Sequence, residues 1–470
     1  MRANSPPARK PGLLAKLGLD RPELRAWAMY DWAVSAVQTT IMVAVFPIYF
    51  KQVAAAGVPD ATATGYVATA NSLALAVVAV ISPILGAWVD FTGNRKRFLA
   101  GFLALGAGAT ALMFFVGHGD LRLGYWLFVL SLLGASGSFV FYESLLPHIA
   151  HGEAEIDRVS AAGYGLGYVG GGILLALNLA WILKPGLFGL PSGPGLSTSQ
   201  ATLPSRLALL SVAVWWVIFS IPLFRRVPEP PRSVVGGETR GESPVRAAFG
   251  RLAGTFRHLR GYRQAFLMLL AFLIYNDGVQ TIITMATSYG SDIGIGRDAL
   301  IAAVLVVQFV GIPCAFLFGM LGARIGARRA IFLGLAVYTG IAVLGYFMTT
   351  ATEFFVLAAL VGMVQGGTQA LSRSLFASMV PPEKSGEFFG FFSVFEKFAG
   401  IFGPLLFAAA IAVSGTSRVA ILSVIAFFAV GALLLSLVDV DEGRAAARAT
   451  LARAELDPEL PTNRPTSPRG

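Results

Sequence analysis

Twelve long apolar runs dominate this sequence. They fall at roughly 27–50, 63–89, 98–116, 123–145, 159–183, 206–224, 264–289, 298–321, 330–348, 354–378, 388–413 and 418–438. A helix crossing a bilayer needs about 20 mostly apolar residues. The pattern therefore predicts an all-α membrane protein with 12 transmembrane helices. The weakest break is 117–122, where His118, Gly119, Asp120 and Arg122 separate one run from the next. Of the 470 residues, 55% are apolar and 13% charged, against roughly 25% charged in a soluble domain. So few charges exclude a disordered chain, and unbroken rather than alternating runs argue against a transmembrane β-barrel. A single cysteine, Cys314, excludes a disulfide scaffold.

The charges set the orientation. Residues 1–25 carry Arg2, Arg9, Lys10, Lys16, Arg21 and Arg25 without the short apolar core of a cleavable signal. An even number of spans puts both termini on one side. The segments on that side hold 28 Lys and Arg, and those on the other side hold six. This asymmetry predicts a multi-pass protein of the cytoplasmic (inner) membrane with both termini cytoplasmic. It also accounts for the net charge of +10. The basic residues fix topology and meet anionic lipid headgroups, so nucleic acid is not an expected partner.

The expected organisation is an N-terminal tail (1–26), a six-helix bundle (27–224), a linker (225–263), a second six-helix bundle (264–438) and a C-terminal tail (439–470). In the linker, Val245, Phe249, Leu252, Phe256 and Leu259 recur at steps of four and three, with arginines elsewhere around the wheel. That spacing predicts an interfacial helix. The tail mixes six acidic residues with five Arg, and a short helix followed by disorder is expected there. The halves repeat. At an offset of 233, Gly86 meets Gly319, Gly93 meets Gly326, Arg95 meets Arg328 and Lys96 meets Arg329. At an offset of 230, Gly137, Ser144 and Leu145 meet Gly367, Ser374 and Leu375. Two six-helix parallel repeats mark one transporter architecture.

The stretch Gly86-x-x-x-Asp90-x-x-Gly93-x-Arg95-Lys96-Arg97 resembles the signature loop between helices 2 and 3 of the major facilitator superfamily. Its glycines allow close helix approach, and Asp90 can accept from a helix N-terminus or a cation. The second copy has Ala323 in place of Asp90, so the full network is expected of the first copy alone. A narrower resemblance rests on Trp27-Ala28-Met29-Tyr30-Asp31-Trp32 with Phe46-Pro47-Ile48-Tyr49-Phe50. Gln365-Gly366-Gly367, Gln369 to Ala377, Pro381-Pro382 and Glu387 to Phe392 add to it. These segments resemble the vacuole-effluxer-like ("unknown major facilitator") family, similar to autophagy-linked vacuolar amino-acid effluxers of fungi. The resemblance implies the major facilitator fold, two six-helix bundles and alternating-access transport. It suggests export of small polar solutes such as amino acids.

Ionisable groups within apolar spans are costly, and each needs a reason. Asp277, near mid-depth of the seventh span, is the leading candidate for substrate binding or proton coupling, with Asn276 and Gln280 beside it. Gly278 would loosen the helix there. Asp31 and Tyr30 sit early in the first span, with Gln38 deeper. Asp31 is read either as lining the inner mouth or bracing a gate, or as an interfacial anchor. Gln365 and Gln369 lie one turn apart in the tenth span. Lys397, near the start of the eleventh with Glu396, either attracts a substrate carboxylate or snorkels to the surface. Glu143 and Arg373 occupy equivalent places at the 230 offset, which suggests a salt bridge that closes the inner side in one state; bracing of Arg95 or Lys96 by Glu143 is the alternative. Gly86, Asp90, Gly93, Arg95, Lys96, Gly326 and Arg328 complete the signature-loop set.

Gly165-Leu166-Gly167-Tyr168-Val169-Gly170 fits a dinucleotide fingerprint only in letters, since no strand precedes it. Gly163, Gly167 and Gly171 are better explained as a packing ladder. No Walker loop occurs, and no His or Cys cluster supports an enzyme or a metal site. The expected partners are a small-molecule substrate, protons and membrane lipids, with no cofactor and a monomeric state. Export of lipophilic drugs, or a non-transporting scaffold of the same fold, are the competing readings.

Overall fold

The computed structural model describes residues 12–231, 250, 262–399 and 402–456. The linker segment predicted over Val245 to Leu259, and the end of the C-terminal tail, lie outside the described residues. Eleven helices among the described residues are long and apolar enough to cross a membrane. The first half comprises α1 (Pro22–Ala54), α2 (Asp60–Thr92), α3 (Arg95–Leu112), α4 (Leu121–Ser144), α5 (Glu153–Leu183) and α6 (Thr198–Arg226). The second comprises α7 (Arg263–Asp292), α8 (Arg297–Ile325), α9 (Ala327–Phe347), α10 (Ala351–Ser378), the pair α11 (Ser385–Phe398) and α12 (Phe402–Ser414), and α13 (Ser417–Ser436). A further helix, α14 (Val440–Leu456), follows.

Two predicted spans depart from regular helix. The eleventh is two pieces rather than one. Ala399 leaves the helical conformation at ψ 138°, and the second piece restarts with Gly403 and Pro404 in its first turn, a weak helix former and a residue with no N–H to bond the preceding turn. The first span widens over Val37–Ala44 and Phe50–Ala54. There the Val45 N–H reaches the Thr40 carbonyl at 2.8 Å and the Ala55 N–H reaches Phe50 at 2.7 Å, five residues back in each case. Pro47 cannot donate to Val43, and Thr39 Oγ1 hydrogen-bonds the Ser35 carbonyl at 3.1 Å and Gly171 on α5 at 3.3 Å. Wide turns of this kind concentrate at functional sites.

Conversely, α7 runs unbroken through Gly278. A Cβ at Gly278 would lie 2.8 Å from Phe428 and 3.0 Å from Phe427 on α13. That glycine is a packing contact, and the expected loosening of this helix is not found. Buried close crossings recur elsewhere. Gly134 of α4 rides on Gly106 of α3, and a Cβ at Gly134 would come within 2.7 Å of the Phe102 carbonyl oxygen and collide with Gly106 itself.

The halves meet along the end of the molecule that carries the basic loops. Gly86 and Ser82 of α2 touch Gly386 and Gly390 of α11. Symmetrically, Asp157 to Tyr168 of α5 pack against Gly311 to Gly322 of α8. Gly443 of α14 packs on Met379, just past α10. Arg444 pairs with Glu153 of α5 at 2.7 Å and donates to Ser378 of α10 at 3.2 Å. The terminal helix thus touches both halves.

Candidate functional site: two ionic junctions across the seam

Arg373 of α10 projects out of the second half into a buried setting built almost wholly by the first. Its Nε donates to Ser160 Oγ at 2.9 Å and its Nη2 to the Ser160 carbonyl at 2.9 Å. Asp31 Oδ2 accepts from Nη1 and Nη2 at 3.4 and 3.3 Å, and from the Tyr142 hydroxyl at 2.8 Å. Glu143 Oε1 lies 3.6 Å from Nη1. The rings of Trp27, Tyr142 and Tyr164 stand 5.0, 5.9 and 4.6 Å from the guanidinium carbon, within cation–π range. Arg373 is 1% exposed, Asp31 5% and Glu143 3%. Charges this dry persist only when paired and hydrogen-bonded.

The glycine ladder of α5 makes the approach possible. A Cβ on Gly163 would collide with Asp31 Oδ2 and sit 3.1 Å from Arg373 Nη2. Gly167 faces Ser35 of α1 in the same way. Asp31 therefore lies in the seam and is no interfacial anchor. Glu143 meets Arg373. Tyr30, one residue away on α1, is fully buried within the first half, 4.9 Å from the Tyr142 ring. A step of about 100° around the helix turns it away from the seam.

The second junction joins α2 to the start of α11. Asp90 Oδ1 pairs with Arg95 Nη2 at 2.5 Å and accepts from the Gly386 N–H at 2.9 Å. Asp90 Oδ2 accepts from the Glu387 N–H at 2.9 Å. One carboxylate thus caps the α11 N-terminus and neutralises the loop arginine. Ser385 Oγ links Arg95, at 3.3 Å, to His148 Nε2, at 3.0 Å. Gly93 ends α2 in the left-handed conformation (φ +69°), which glycine adopts freely. Replacing Asp90 by Asn removes a charge-assisted acceptor worth ~1.5–3 kcal/mol per bond. A lower melting temperature in detergent is expected, and an unchanged one would deny the cap its energetic role.

Lys96 and Arg328 work within their own halves. Lys96 Nζ donates to the Phe224 and Val227 carbonyls at 2.7 and 2.8 Å, at the end of α6. Arg328 Nη2 donates to the Ser436 carbonyl at 2.6 Å, at the end of α13. Among the described residues, neither side chain reaches across the seam. Each fastens the first turn of the helix after the signature loop to its own bundle's last span. Gly326 opens α9 at φ +87°.

At mid-depth, Asp277 is 1% exposed. Its carbonyl accepts from Thr281 Oγ1 at 2.7 Å, and a Cβ on Gly403 would collide with that hydroxyl and come 2.9 Å from the carbonyl. Asp277 thus lies on α7 beside the break between α11 and α12. Asn276 accepts from Gln369, and Tyr275 exchanges a hydrogen bond with Ser372 at 2.6 Å, which binds α7 to α10. Gln280 and Gln365 are half-buried and Gln38 is exposed. Nothing is described of the Lys397 side chain. Tyr142, Ser160, Ser385, His148 and Gly386 join the two junctions without having been expected there from the sequence. For Gly386 the available signal was its closeness in sequence to Glu387 in the family-like segment. For Tyr142 it was adjacency to Glu143.

Two pseudo-symmetric helical halves, joined by buried ion pairs at one end of a polar seam, define a secondary transporter of the major facilitator class. Solved structures share this fold. The proton:xylose symporter XylE bound to 6-bromo-6-deoxy-D-glucose aligns with TM-score 0.65 at 12% identity, covering 93% of this chain and 98% of that one. The transporter FucP in its outward conformation gives 0.61 at 13% identity, covering 90% and 99%. The family model "Vacuole effluxer Atg22 like" matches residues 19–448, and the chain belongs to that family. YxiO of Bacillus subtilis (strain 168), an uncharacterised MFS-type transporter, is 38% identical over 88% of this chain and 94% of its own length. Autophagy-related protein 22 of Yarrowia lipolytica is 26% identical over 61% of this chain. The match spans about half of that fungal protein's length, 51%.

Proposed function

We propose that this protein exports a small polar solute such as an amino acid across the cytoplasmic membrane, by alternating access and with protons as the coupling ion. In this reading both termini face the cytoplasm. The conformation described is the one closed on that side. The observation that carries the reading is the Arg373–Asp31–Glu143 cluster. Two acids and one base, buried between the halves at the basic end, form a contact that must come apart when the halves rock. A proton on either acid weakens that contact without leaving a bare carboxylate.

Amide-bearing residues around the seam support a polar solute: Gln38, Gln280, Gln365 and the Asn276–Gln369 pair. Asp277 is the proposed coupling or ammonium-binding carboxylate at mid-depth. Two structural neighbours, a proton:xylose symporter and a fucose:proton symporter, move protons with their sugar. In proteoliposomes, Asp277→Asn is expected to abolish proton-driven accumulation. Wild-type accumulation by that variant would remove Asp277 from the mechanism. Purified protein screened against amino acids should show thermal stabilisation, since a ligand at 100 times its Kd adds ~2.7 kcal/mol.

A further inference from the structure

Helix α3 opens with three basic residues, and two of them are engaged inside the protein. Arg95 pairs with Asp90, and Lys96 is held by carbonyls at the end of α6. At the same corner, the Glu229 carboxylate accepts from the Lys96 N–H at 3.1 Å. Arg97 is exposed, and no hydrogen bond or ion pair holds its side chain among the described residues.

From Arg97 a groove of about 320 Å³ runs along the outer face of α3, lined by Phe98, Gly101, Phe102 and Leu105. Arg97 supplies its one charged group. A Cβ at Gly101 would meet nothing within 4 Å, so the groove floor is open for want of a side chain. The aromatic walls are fixed from behind. Phe98 packs edge-on to Trp88 at 5.8 Å, and Phe102 lies 5.6 Å from Phe141.

Eight residues separate Arg97 from Leu105, a rise of about 12 Å. One leaflet of the hydrocarbon core is about half of roughly 30 Å. The cation thus stands where headgroup phosphates lie, and the groove follows the acyl chains of a single leaflet. A cation at one end of an otherwise apolar, shallow groove that follows about 12 Å of helix matches one kind of occupant. We propose that this groove binds one anionic phospholipid, its phosphate on Arg97 and an acyl chain over Gly101 towards Leu105.

The test uses the full chain in vesicles of equal phosphatidylglycerol and phosphatidylcholine, extracted gently and weighed by native mass spectrometry. Wild-type protein is expected to retain phosphatidylglycerol over phosphatidylcholine. Arg97→Glu should lower that preference at least about five-fold, the equivalent of ~1 kcal/mol for one basic side chain at an anionic surface. Arg97→Lys should keep most of it. Gly101→Leu fills the floor and should reduce retention of both lipids. Both positions are exposed, so neither change disturbs the fold. Unchanged phosphatidylglycerol retention in Arg97→Glu, or unchanged lipid number in Gly101→Leu, would overturn the proposal.

Discussion

Arg373→Ala is expected to destabilise the protein by ~3–5 kcal/mol and to stop transport. Removing one member of a buried ionic group leaves its partners dry and uncompensated, and that is the larger share of the cost. Here the abandoned groups are two, Asp31 and Glu143, along with a Ser160 hydroxyl and carbonyl whose bonds to the guanidinium are 2.9 Å long. Thermal unfolding in detergent measures the loss. A companion variant separates stability from mechanism. Arg373→Gln combined with Asp31→Asn and Glu143→Gln removes the stranded charges together, so most of the stability should return while solute movement does not. Wild-type melting and transport in Arg373→Ala would show that the cluster is dispensable.

Gly86→Ala should shift the conformational equilibrium as strongly as any single methyl group in this chain. Its Cβ would lie 2.5 Å from the Gly386 carbonyl carbon and collide with the oxygen, backbone atoms that cannot swing aside. Overpacking of this kind costs ~1–3 kcal/mol, and every 1.4 kcal/mol is a tenfold change in a population. The cost falls on the arrangement with α2 against α11, so the variant should populate the arrangement with that edge opened. Spin labels on the two helices would read longer distances. Gly386→Ala attacks the same contact from the other side, with a Cβ 2.6 Å from the Gly86 oxygen, and should do the same. Distances matching wild type in both variants would mean that this contact does not set the equilibrium.

Hydropathy alone made the spans legible, because lipid demands length and apolarity in the sequence itself. An offset of 233 between the halves exposed the signature loop twice, and one of 230 put Glu143 and Arg373 in equivalent places. What stayed hidden has a common cause. Sequence fixes how deep a residue lies along a helix, but not which way the helix is turned. Tyr30 and Asp31 are neighbours, yet one faces its own bundle and the other the seam. Asp31 finds its guanidinium 342 positions away, a contact that exists only once the halves have docked. Lys96 and Arg328 were legible as signature-loop residues, but their reach towards the last span of their own bundle was not. The divided eleventh span carried a signal in Pro404 that its apolarity concealed.

The two edges of the seam are held by different forces. At α2 and α11 a carboxylate, a guanidinium and two backbone N–H groups are locked together. At α5 and α8, where the repeat has Ala323 in place of the acid, small residues such as Gly319 and Ala161 abut. The second edge is not free of charge, since the buried Asp157 carboxylate of α5 accepts from the Ser374 hydroxyl of α10 at 2.5 Å and faces Gly322 of α8. Opening the first edge requires water to solvate a guanidinium and a carboxylate together, whereas opening the second hydrates one carboxylate. Rocking therefore wets both flanks unequally, and dissolved salt should change its rate most through the flank that carries the signature loop.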